Sequence, residues 1–496
     1  MSFQRSTPAR PAPLDITGEE FARAGHWLID EAASVLDSIR ERPVTRVDWP
    51  GLPTADPLPE SGQPVEALIR ETAGLLFDYS LYNGHPKFSG YITSSPAPIG
   101  ALADLLAALV NPNVGAGILS PVATAIEMQT IRWLTELIRL PAGFGGLLVS
   151  GGNMANITAF VTARKIKLSG LKQDQKHPML RIYCSRATHT WIEKAVTLTG
   201  MGMEAIHWID THRDNTLDCD QLDKAIREDQ ALGHWPLMVV ANAGDVSTGA
   251  IDDLASIAGC CRRHQLWFHV DGAYGVPAAA LPEWKEQFAG LDQADSIAFD
   301  PHKWLYTPLE AGCVLVKNPA DLTATFSSHP AYYNFDNTDQ PDRLNYYEFG
   351  FQNSRGFRAL KVWLGLRQAG RTGYIRMIRE NIRLSQQLFQ GAQASPALEA
   401  VSQSLSIACF RFHPHSGSAR PLDEAGLNQL NTELLNQLQR EGRVFLSPAV
   451  VGEKYCLRSC LVNFRTTEED IREMIAIIEE TGYRVFEKMQ TSLLAQ

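Results

Sequence analysis

The chain has 496 residues, of which 45% are hydrophobic and 20% are charged, as in typical globular proteins. Its 45 Lys and Arg against 55 Asp and Glu give a net charge of −10, which argues against a general nucleic-acid binder because phosphates attract cationic surfaces. Eight cysteines without CxxC spacing predict free thiols in a reducing cytoplasm and no metal site. The apolar run at 102–110 is too short to span a membrane, and the amino terminus has no signal-peptide pattern, so we expect no membrane partner.

The amino-terminal region predicts two helices joined by a linker. A Thr-x-x-Glu capping box at Thr17 opens an amphipathic helix predicted over 18–42. Six prolines between 43 and 64 indicate a linker, and a second helix is predicted over 65–79. Because such an arm cannot build its own core, it must pack on the rest of the chain or on a partner subunit.

From about residue 120, short apolar strands alternate with helices. Helices are predicted to begin near 121, 152, 190, 217 and 252, and alternation at this spacing indicates crossover connections and a mostly parallel sheet. The predicted strands are 146–149, 181–184, 205–209, 237–242, 266–270, 296–299 and 312–316.

After about 370 the pattern changes to that of a small α+β unit. Helices are predicted over 371–390, 424–440 and 468–490, and strands over 407–412 and 456–462. We therefore divide the chain into an arm (1–90), a large domain (91–370) and a small carboxy-terminal domain (371–496).

Polar or glycine-rich residues follow five of the predicted strands. In an open parallel sheet, ligands bind beyond the carboxyl ends of the strands, so these residues are expected to share one edge. They are Ser150-Gly151-Gly152-Asn153, His189, Gly244-Asp245, Asp271-Gly272-Ala273 and Asp300-Pro301-His302-Lys303. Each has an ordinary structural alternative: a tight turn, a bonded core histidine, a helix cap or a solvated loop.

Lys303 and Asp271 carry the most specific chemistry. Apolar residues flank Lys303, and burial of a lysine favours the neutral amine, a nucleophile that can form a Schiff base. Asp271 lies 32 residues upstream, one crossover unit away, and can reach the same edge. A lysine that binds the cofactor together with an aspartate facing a pyridine nitrogen is the pyridoxal phosphate arrangement.

A competing motif is misplaced. Gly200-Met201-Gly202 and Ala205 match the dinucleotide fingerprint G-x-G-x-x-A, which must follow a strand and open a helix. Here a predicted helix precedes the glycines and a strand follows them, so a helix carboxy-terminal cap is the better interpretation.

With these residues in place, the chain resembles the group II pyridoxal-phosphate-dependent decarboxylases, and within them the aromatic-L-amino-acid decarboxylases. The pairing of Asp-x-Ala-Tyr with Pro-His-Lys-Trp is the most specific part of the resemblance. The matching segments are NGHPKF at 83–88, SGGNMAN at 150–156, TH at 188–189, NAGDVSTG at 242–249, HVDGAY at 269–274, ADS at 294–296 and DPHKW at 300–304.

The resemblance implies an α/β protein of fold type I, the aspartate aminotransferase-like class. Such a protein has an arm swapped across a homodimer with shared active sites, a large domain built on a seven-stranded sheet, and a small α+β domain. Lys303 would bind pyridoxal 5′-phosphate, Asp271 would keep its ring nitrogen protonated, and His189 would stack on the ring. The expected phosphate contacts are Gly152, Asn153, Ser296, Asp300 and His302, with Ala273 beside Asp271 and Asp245 beside the ring substituents.

The family also places a tyrosine on a mobile loop as the acid that protonates the substrate Cα after CO₂ leaves. Residues 327–335 fall where that loop is expected, and Tyr332 is the predicted acid, with Tyr333 as the fallback. Relatives with Phe at this position make aldehydes, so Tyr332 favours simple amine formation. A surface loop with incidental tyrosines is the ordinary alternative.

The resemblance assigns the substrate pocket to Tyr91, Ile92, Thr93 and Ser94 and to the stretch at Gly115. The small Gly115 predicts a wider pocket, and the absence of Arg and Lys from these segments weighs against an acidic substrate. We therefore expect decarboxylation of tryptophan, tyrosine or phenylalanine to the amine. The alternatives are a small polar substrate of the cysteine sulfinate, glutamate or diaminobutyrate type, an aldehyde-forming relative, a non-catalytic cofactor-binding scaffold, and a nicotinamide-dependent oxidoreductase.

Overall fold

The computed structural model describes residues 13–46, 48, 51, 56–169, 179–328, 344–414 and 422–494. The arm contains α1 (Gly18–Asp37) and α2 (Val65–Tyr79), and Thr17 and Glu20 form the predicted capping box. Helix α1 ends five residues earlier than predicted, at a turn before the prolines. Arg23 on α1 pairs with Glu66 on α2, whereas Arg40, just after α1, pairs with Asp470 near the carboxy terminus. The arm therefore also packs on the carboxy-terminal part of the chain.

Two helices precede the large sheet. Helix α3 (Pro98–Val110) was not predicted, since its sequence is apolar on nearly all sides and lacks a helical polar face. Helix α4 (Pro121–Leu137) begins with Pro at its first position, as the Ser120-Pro121 pair predicts.

A seven-stranded sheet forms the centre of the molecule, and it confirms the predicted mostly parallel sheet. Its order is β1-β7-β6-β5-β4-β2-β3, and β7 runs antiparallel to both of its neighbours while the remaining pairs are parallel. The carboxyl ends of the other six strands therefore meet at one edge. The strands are β1 (Gly145–Val149), β2 (Leu180–Ser185), β3 (Ile206–Ile209), β4 (Trp235–Asn242), β5 (Trp267–Asp271), β6 (Ser296–Phe299) and β7 (Gly312–Val316).

Helices cover both faces of this sheet and bury its apolar side chains. They are α5 (Gly152–Leu168), α6 (Trp191–Leu198), α7 (Cys219–Ala231), α8 (Leu254–His264) and α9 (Ala320–Phe326). Gly200 and Gly202 have φ values of +69° and +79° and lie between α6 and β3. This left-handed backbone at the end of α6 is the predicted cap, and only a three-residue 3-10 helix, Met203–Ala205, separates it from β3.

The carboxy-terminal part forms a second sheet of order β10-β11-β9-β8. Its strands are β8 (Leu398–Ser404), β9 (Ile407–Phe412), β10 (Ser447–Val451) and β11 (Lys454–Cys460), and helices α10 (Ala359–Ala394), α11 (Glu424–Glu441) and α12 (Glu468–Leu494) pack on it. The predicted domain boundary stays a prediction; it coincides with Gly370, where α10 departs from helical geometry with φ 63° and ψ 171°. No described helix combines the length and the apolar character needed to cross a bilayer.

Candidate active site

A cavity of about 500 Å³ lies at the carboxyl edge of the seven-stranded sheet. Residues that follow β1, β2, β4, β5 and β6 line it, as the strand-end argument predicts. Of the predicted site residues, the structure brings together Tyr91, Ile92, Thr93, Gly152, Asn153, His189, Asp245, Asp271, Ala273, Asp300, His302 and Lys303.

The amino terminus of α5 opens into this cavity. The helix begins at Gly152, and its N-cap residue Gly151 offers no side-chain hydrogen bond to the first backbone N–H groups. Free N–H groups and the helix dipole attract an anion. A Cβ atom on Gly152 would lie 2.8 Å from Asp300 Oδ2 and 3.4 Å from Ala273 Cβ, so the missing side chain keeps this corner open.

Asp271 is the last residue of β5, and its buried carboxylate has two protein donors. The backbone N–H of Ala273 donates to Oδ1 at 3.1 Å, and the indole Nε1 of Trp191 donates to Oδ2 at 2.7 Å. A carboxylate has about four acceptor positions, so acceptor capacity remains for one more donor. Trp191 is not among the predicted site residues, because a Trp at the start of an apolar helix resembles an ordinary core residue.

His189 lies at the start of the turn that leads into α6. The backbone N–H of Trp191 donates to His189 Nδ1 at 3.3 Å, so the neutral ring carries its proton on Nε2. Burial lowers the pKa of His189, with the nearby Lys303 acting in the same direction and Asp271 opposing it. The ring is therefore a neutral, flat group beside the carboxylate of Asp271.

Lys303 forms an ion pair with Asp300 across one turn. Lys303 Nζ lies 3.0 Å from Asp300 Oδ2, and its side chain is 22% exposed, so the amine is less enclosed than its apolar flanks suggest. The second carboxylate oxygen, Asp300 Oδ1, is buried without a hydrogen-bond partner in the described part of the chain. A buried acceptor without a donor is costly, so the described residues do not fully satisfy this carboxylate.

His302 faces the same corner. Its Nδ1 accepts a hydrogen bond from the backbone N–H of Ala311 at 3.1 Å, and its Nε2 lies 3.7 Å from Asp300 Oδ2. Burial lowers the pKa of His302, although Asp300 opposes the shift. The neutral ring therefore carries its proton on Nε2, where it can donate to an anion.

Asp245 organises its own loop. Its Oδ1 accepts from the backbone N–H groups of Ser247 and Thr248 at 2.8 and 3.0 Å. Its Oδ2 accepts from the Thr248 hydroxyl and from the backbone N–H of Ala250. The carboxylate thus already has four protein donors, all of them within its own loop.

Arg458 is a cationic residue of the cavity wall that the sequence argument did not identify. It comes from β11, in the second sheet, and one of its Nη atoms donates to the carbonyl of Val246. Its Nε is buried without a partner among the described residues. Arg458 is the one charged residue of the predicted strand 456–462, and this is the signal that could have identified it.

Three predicted contacts need correction. Ser296 lies at the amino end of β6, away from the cavity, and its hydroxyl accepts from Trp267 Nε1 at 2.7 Å and contacts His269 Nδ1, so it is not placed to hold a phosphate. The Ser94 hydroxyl donates to the backbone carbonyl of His302, so Ser94 supports a residue of the cavity wall without lining the cavity itself.

Gly115 likewise lies outside the cavity of this chain. A Cβ there would meet the carbonyl oxygen of Asn353 at 2.1 Å, so close backbone packing, and not pocket width, accounts for the glycine in this chain. Tyr332 and Tyr333 lie outside the described residues, and the choice between them stays a prediction.

These residues fit pyridoxal phosphate. The uncapped start of α5 and the Nε2 proton of His302 suit a phosphate, and Asp271 retains acceptor capacity for a protonated ring nitrogen. Lys303 supplies the amine for covalent attachment, and His189 supplies a neutral ring to stack on. The carboxylate of Asp300 suits a phosphate poorly, because both are anionic; its partner in this structure is Lys303.

Comparisons with known proteins agree with this geometry. The family model described as "Pyridoxal-dependent decarboxylase conserved domain" matches residues 52–413. An aromatic-L-amino-acid decarboxylase of Bacillus atrophaeus is 31% identical over 95% of this chain and 97% of its own, and a phenylacetaldehyde synthase of Petunia hybrida is 30% identical over 89% and 90%. The crystal structure of Oryza sativa TDC with PLP and tryptamine superposes with a TM-score of 0.89 at 25% identity, covering 96% of this chain and 99% of that one.

Proposed function

The chain belongs to the pyridoxal-dependent decarboxylase family, and we propose that it converts an aromatic L-amino acid into the corresponding arylalkylamine and CO₂. The observation that carries this proposal is the convergence of Lys303, Asp271, His189 and the uncapped start of α5 on one cavity. The predicted family, fold type I architecture, pyridoxal phosphate cofactor and decarboxylase chemistry are confirmed by the family match and by the structural neighbours.

When bound, pyridoxal phosphate supplies the carbonyl group that captures the substrate amine and a ring that takes up the electron pair released with CO₂. The residues of this chain bind and orient it. Lys303 would hold the cofactor, and Asp300 Oδ2, 3.0 Å from its Nζ, would pair with that amine whenever it is free. Asp271 would stabilise a proton on the ring nitrogen, and His189 would stack on the ring.

An aromatic substrate is supported by the cavity wall and by the relatives. Tyr91, Ile92, Val246 and Tyr274 give the cavity apolar and aromatic surface. The relative from Bacillus atrophaeus is named for aromatic amino acids, and a neighbouring structure from Catharanthus roseus is a tryptophan decarboxylase in complex with L-tryptophan.

The test is an amine-product screen of the reconstituted enzyme against the protein amino acids, hydroxylated aromatic amino acids, cysteine sulfinate and diaminobutyrate. We expect amine and equimolar CO₂ from one or more aromatic substrates. Product from acidic or diamino substrates alone would keep the decarboxylase chemistry and overturn the aromatic proposal.

Arg458 favours a second candidate function, decarboxylation of an acidic or sulfinate substrate. Its side chain lines the cavity, so the guanidinium offers a cation for a carboxylate or sulfinate group. That group is the α-carboxylate for an aromatic substrate and the side chain for an acidic one. Arg458→Gln is expected to raise KM for every substrate in the first case, and to shift preference from acidic to neutral substrates in the second.

Tyr332 is the proposed acid that returns a proton to the substrate Cα. The relatives include phenylacetaldehyde synthases from Petunia hybrida and a Rosa hybrid cultivar, so product type needs a direct test. We expect Tyr332→Phe to replace amine formation by aldehyde, ammonia and peroxide with uptake of O₂, while Tyr333→Phe keeps making amine. Aldehyde and peroxide from the unaltered enzyme would contradict the assignment.

A homodimer with shared active sites is part of the proposal. Helix α3 exposes Leu102, Leu105, Leu106, Leu109 and Val110, each 44–74% exposed, and such an apolar strip suits burial against a second copy. Light scattering on the purified protein should give twice the chain mass. The double variant Leu105→Asp, Leu109→Asp should give monomers with reduced activity, and a monomeric, fully active wild type would contradict this part.

The proposed location is the cytoplasm. All eight cysteines are unpaired, and seven of them are buried, as expected for a protein kept in a reducing compartment.

A further inference from the structure

Trp191 connects two residues of the cofactor site through two different groups. Its backbone N–H donates to His189 Nδ1 at 3.3 Å, and its indole Nε1 donates to Asp271 Oδ2 at 2.7 Å. The side chain is fully buried at the start of α6. One residue therefore fixes the ring that stacks on the cofactor and the carboxylate that faces its nitrogen.

We propose that Trp191 is a positioning residue that acts on the cofactor through Asp271. The inference depends on the cofactor of the family and not on which amino acid is the substrate. The indole donates to one carboxylate oxygen of Asp271 and the backbone N–H of Ala273 donates to the other. Acceptor capacity of the carboxylate therefore remains for the cofactor ring nitrogen.

The physical effect has two parts. A hydrogen bond to an ionised carboxylate is stronger than one between neutral groups, and it fixes the orientation of the carboxylate plane. It also keeps the carboxylate in the orientation that faces the cofactor ring nitrogen, where a negative charge stabilises the ring proton. An anionic Asp271 keeps the proton on the ring nitrogen, and a protonated ring is the better electron acceptor.

The indole itself is also held by a second residue of β5. Its ring packs edge-to-face against His269 at a centroid distance of 5.8 Å. His269 is bonded on both ring nitrogens, with Asn156 Oδ1 at 2.7 Å and Ser296 Oγ at 2.8 Å. Because that histidine is fixed, the indole cannot tilt away from Asp271, and the bond is part of a rigid buried network.

Trp191→Phe tests the proposal because it removes the indole N–H and retains the backbone N–H that holds His189. Trp363→Phe is the matched control, since its indole also donates at 2.7 Å, to Gln129 Oε1, and neither residue lines the cavity. Both apoenzymes should be compared by thermal unfolding, and the dissociation constant should be measured for pyridoxal phosphate and for its 1-deaza analogue, in which carbon replaces the ring nitrogen.

We expect Trp191→Phe to raise the dissociation constant for pyridoxal phosphate by about tenfold or more, the range for a lost hydrogen bond to a charged group. Binding of the 1-deaza analogue should not change, since it offers Asp271 no proton. The visible circular dichroism of the bound cofactor should weaken, and kcat should fall more than KM rises. Trp363→Phe should change none of these.

Two results would overturn the proposal. Equal weakening for both cofactors would reduce Trp191 to a packing role, and unchanged binding of pyridoxal phosphate by a folded variant would remove the role altogether. If Trp191→Phe does not fold, Trp191→His, which can also present a ring N–H, provides the second test: binding of pyridoxal phosphate close to that of the wild type supports the proposal, and equal weakening for both cofactors contradicts it. Because the readout is cofactor binding, failure here is distinguishable from failure of the aromatic substrate proposal.

Discussion

Two ion pairs lie near the seven-stranded sheet, and they differ in how completely their polar atoms are bonded. Arg355 and Glu127 are 1% and 0% exposed, with Nη2 and Oε1 2.6 Å apart. The guanidinium also donates to the carbonyls of Val114 and Leu148, and Glu127 accepts from the backbone N–H of Leu148. Lys303 and Asp300 share one contact at 3.0 Å, and Asp300 Oδ1 has no partner in the described structure.

The difference distinguishes a pair whose atoms are fully bonded within the fold from a pair that lines the cavity. A buried charge is tolerated in a stable core when hydrogen bonds satisfy its remaining atoms, as for Arg355. His269 follows the same rule, being bonded at both ring nitrogens. His189, His302 and Arg458 each keep a nitrogen without a hydrogen bond among the described residues, and all three line the cavity.

The largest effect is expected at the incompletely bonded pair. Lys303→Ala should abolish the visible band of bound cofactor and reduce turnover below detection, because no other lysine among the described residues lines the cavity. The apoenzyme should also lose unfolding free energy, because the remaining Asp300 carboxylate is only 3% exposed and loses its nearest cationic partner. Absorbance and urea unfolding measure the two effects.

The matched control is Lys454→Ala, which removes a lysine paired with Glu399 in the second sheet. This variant should keep the absorbance band and the activity. A coloured, active Lys303→Ala enzyme would show that Lys303 is not the residue that holds the cofactor.

The fully bonded pair should behave in the opposite way. Glu127→Gln leaves Arg355 buried without a counter-charge, and breaking a buried pair costs about 3–5 kcal/mol of unfolding free energy. Glu283→Gln, which breaks an exposed pair with Arg379, should cost no more than about 1 kcal/mol. Urea unfolding of the apoenzymes measures both, and equal losses would contradict the distinction drawn from burial.

The same contrast explains what the sequence could predict. Strand alternation located all seven strands of the large sheet, and an acidic residue directly after an apolar run located Asp271 at the active edge. Parallel strands point their carboxyl ends to one side, so this step needs no tertiary information. Ser296 was assigned wrongly because it begins a strand, and the same rule places the start of a parallel strand at the opposite edge.

Other features depend on packing between distant segments. Arg458 reaches the cavity from the second sheet. Trp191 reaches Asp271 from the start of α6, 80 residues away in sequence. Strands β8 and β10 were missed because β8 is mostly half-buried and polar and β10 contains Pro448, so neither has the pattern of a buried strand. Helix α3 was missed for the opposite reason, an apolar surface on most sides.

The pH dependence of the unfolding free energy tests His269, a buried residue whose two ring nitrogens are both bonded. Burial lowers its pKa from 6.5 to about 4 in the folded chain. Between pH 6.5 and 4 the unfolded chain binds a proton there that the folded chain does not, so the unfolding free energy decreases as the pH falls through this window. A shift of this size corresponds to about 3 kcal/mol.

Urea unfolding of wild-type and His269→Gln apoenzymes at pH 7 and pH 4.5 measures this contribution without interference from cofactor binding. The variant should be less stable at pH 7, because it loses bonds to Asn156 and Ser296. Its stability should also decrease less on acidification. Parallel pH dependences of the two proteins would show that His269 is protonated in the folded state as well.

The smallest effect is expected from filling space in the cavity at Gly152, a change that removes no hydrogen bond. Gly152→Ala would place a methyl group 2.8 Å from Asp300 Oδ2, at the start of α5 where the phosphate is expected. Overpacking by one methyl group typically costs 1–3 kcal/mol, so the dissociation constant for pyridoxal phosphate should rise about tenfold or more. Gly259→Ala is the control: it lies within α8, its new methyl group would meet only Arg263 Nη1 at 3.7 Å, and cofactor binding should not change. If Gly152→Ala binds the cofactor as tightly as the wild type, the start of α5 does not hold the phosphate, and the anion contacts must come from His302 and its neighbours instead.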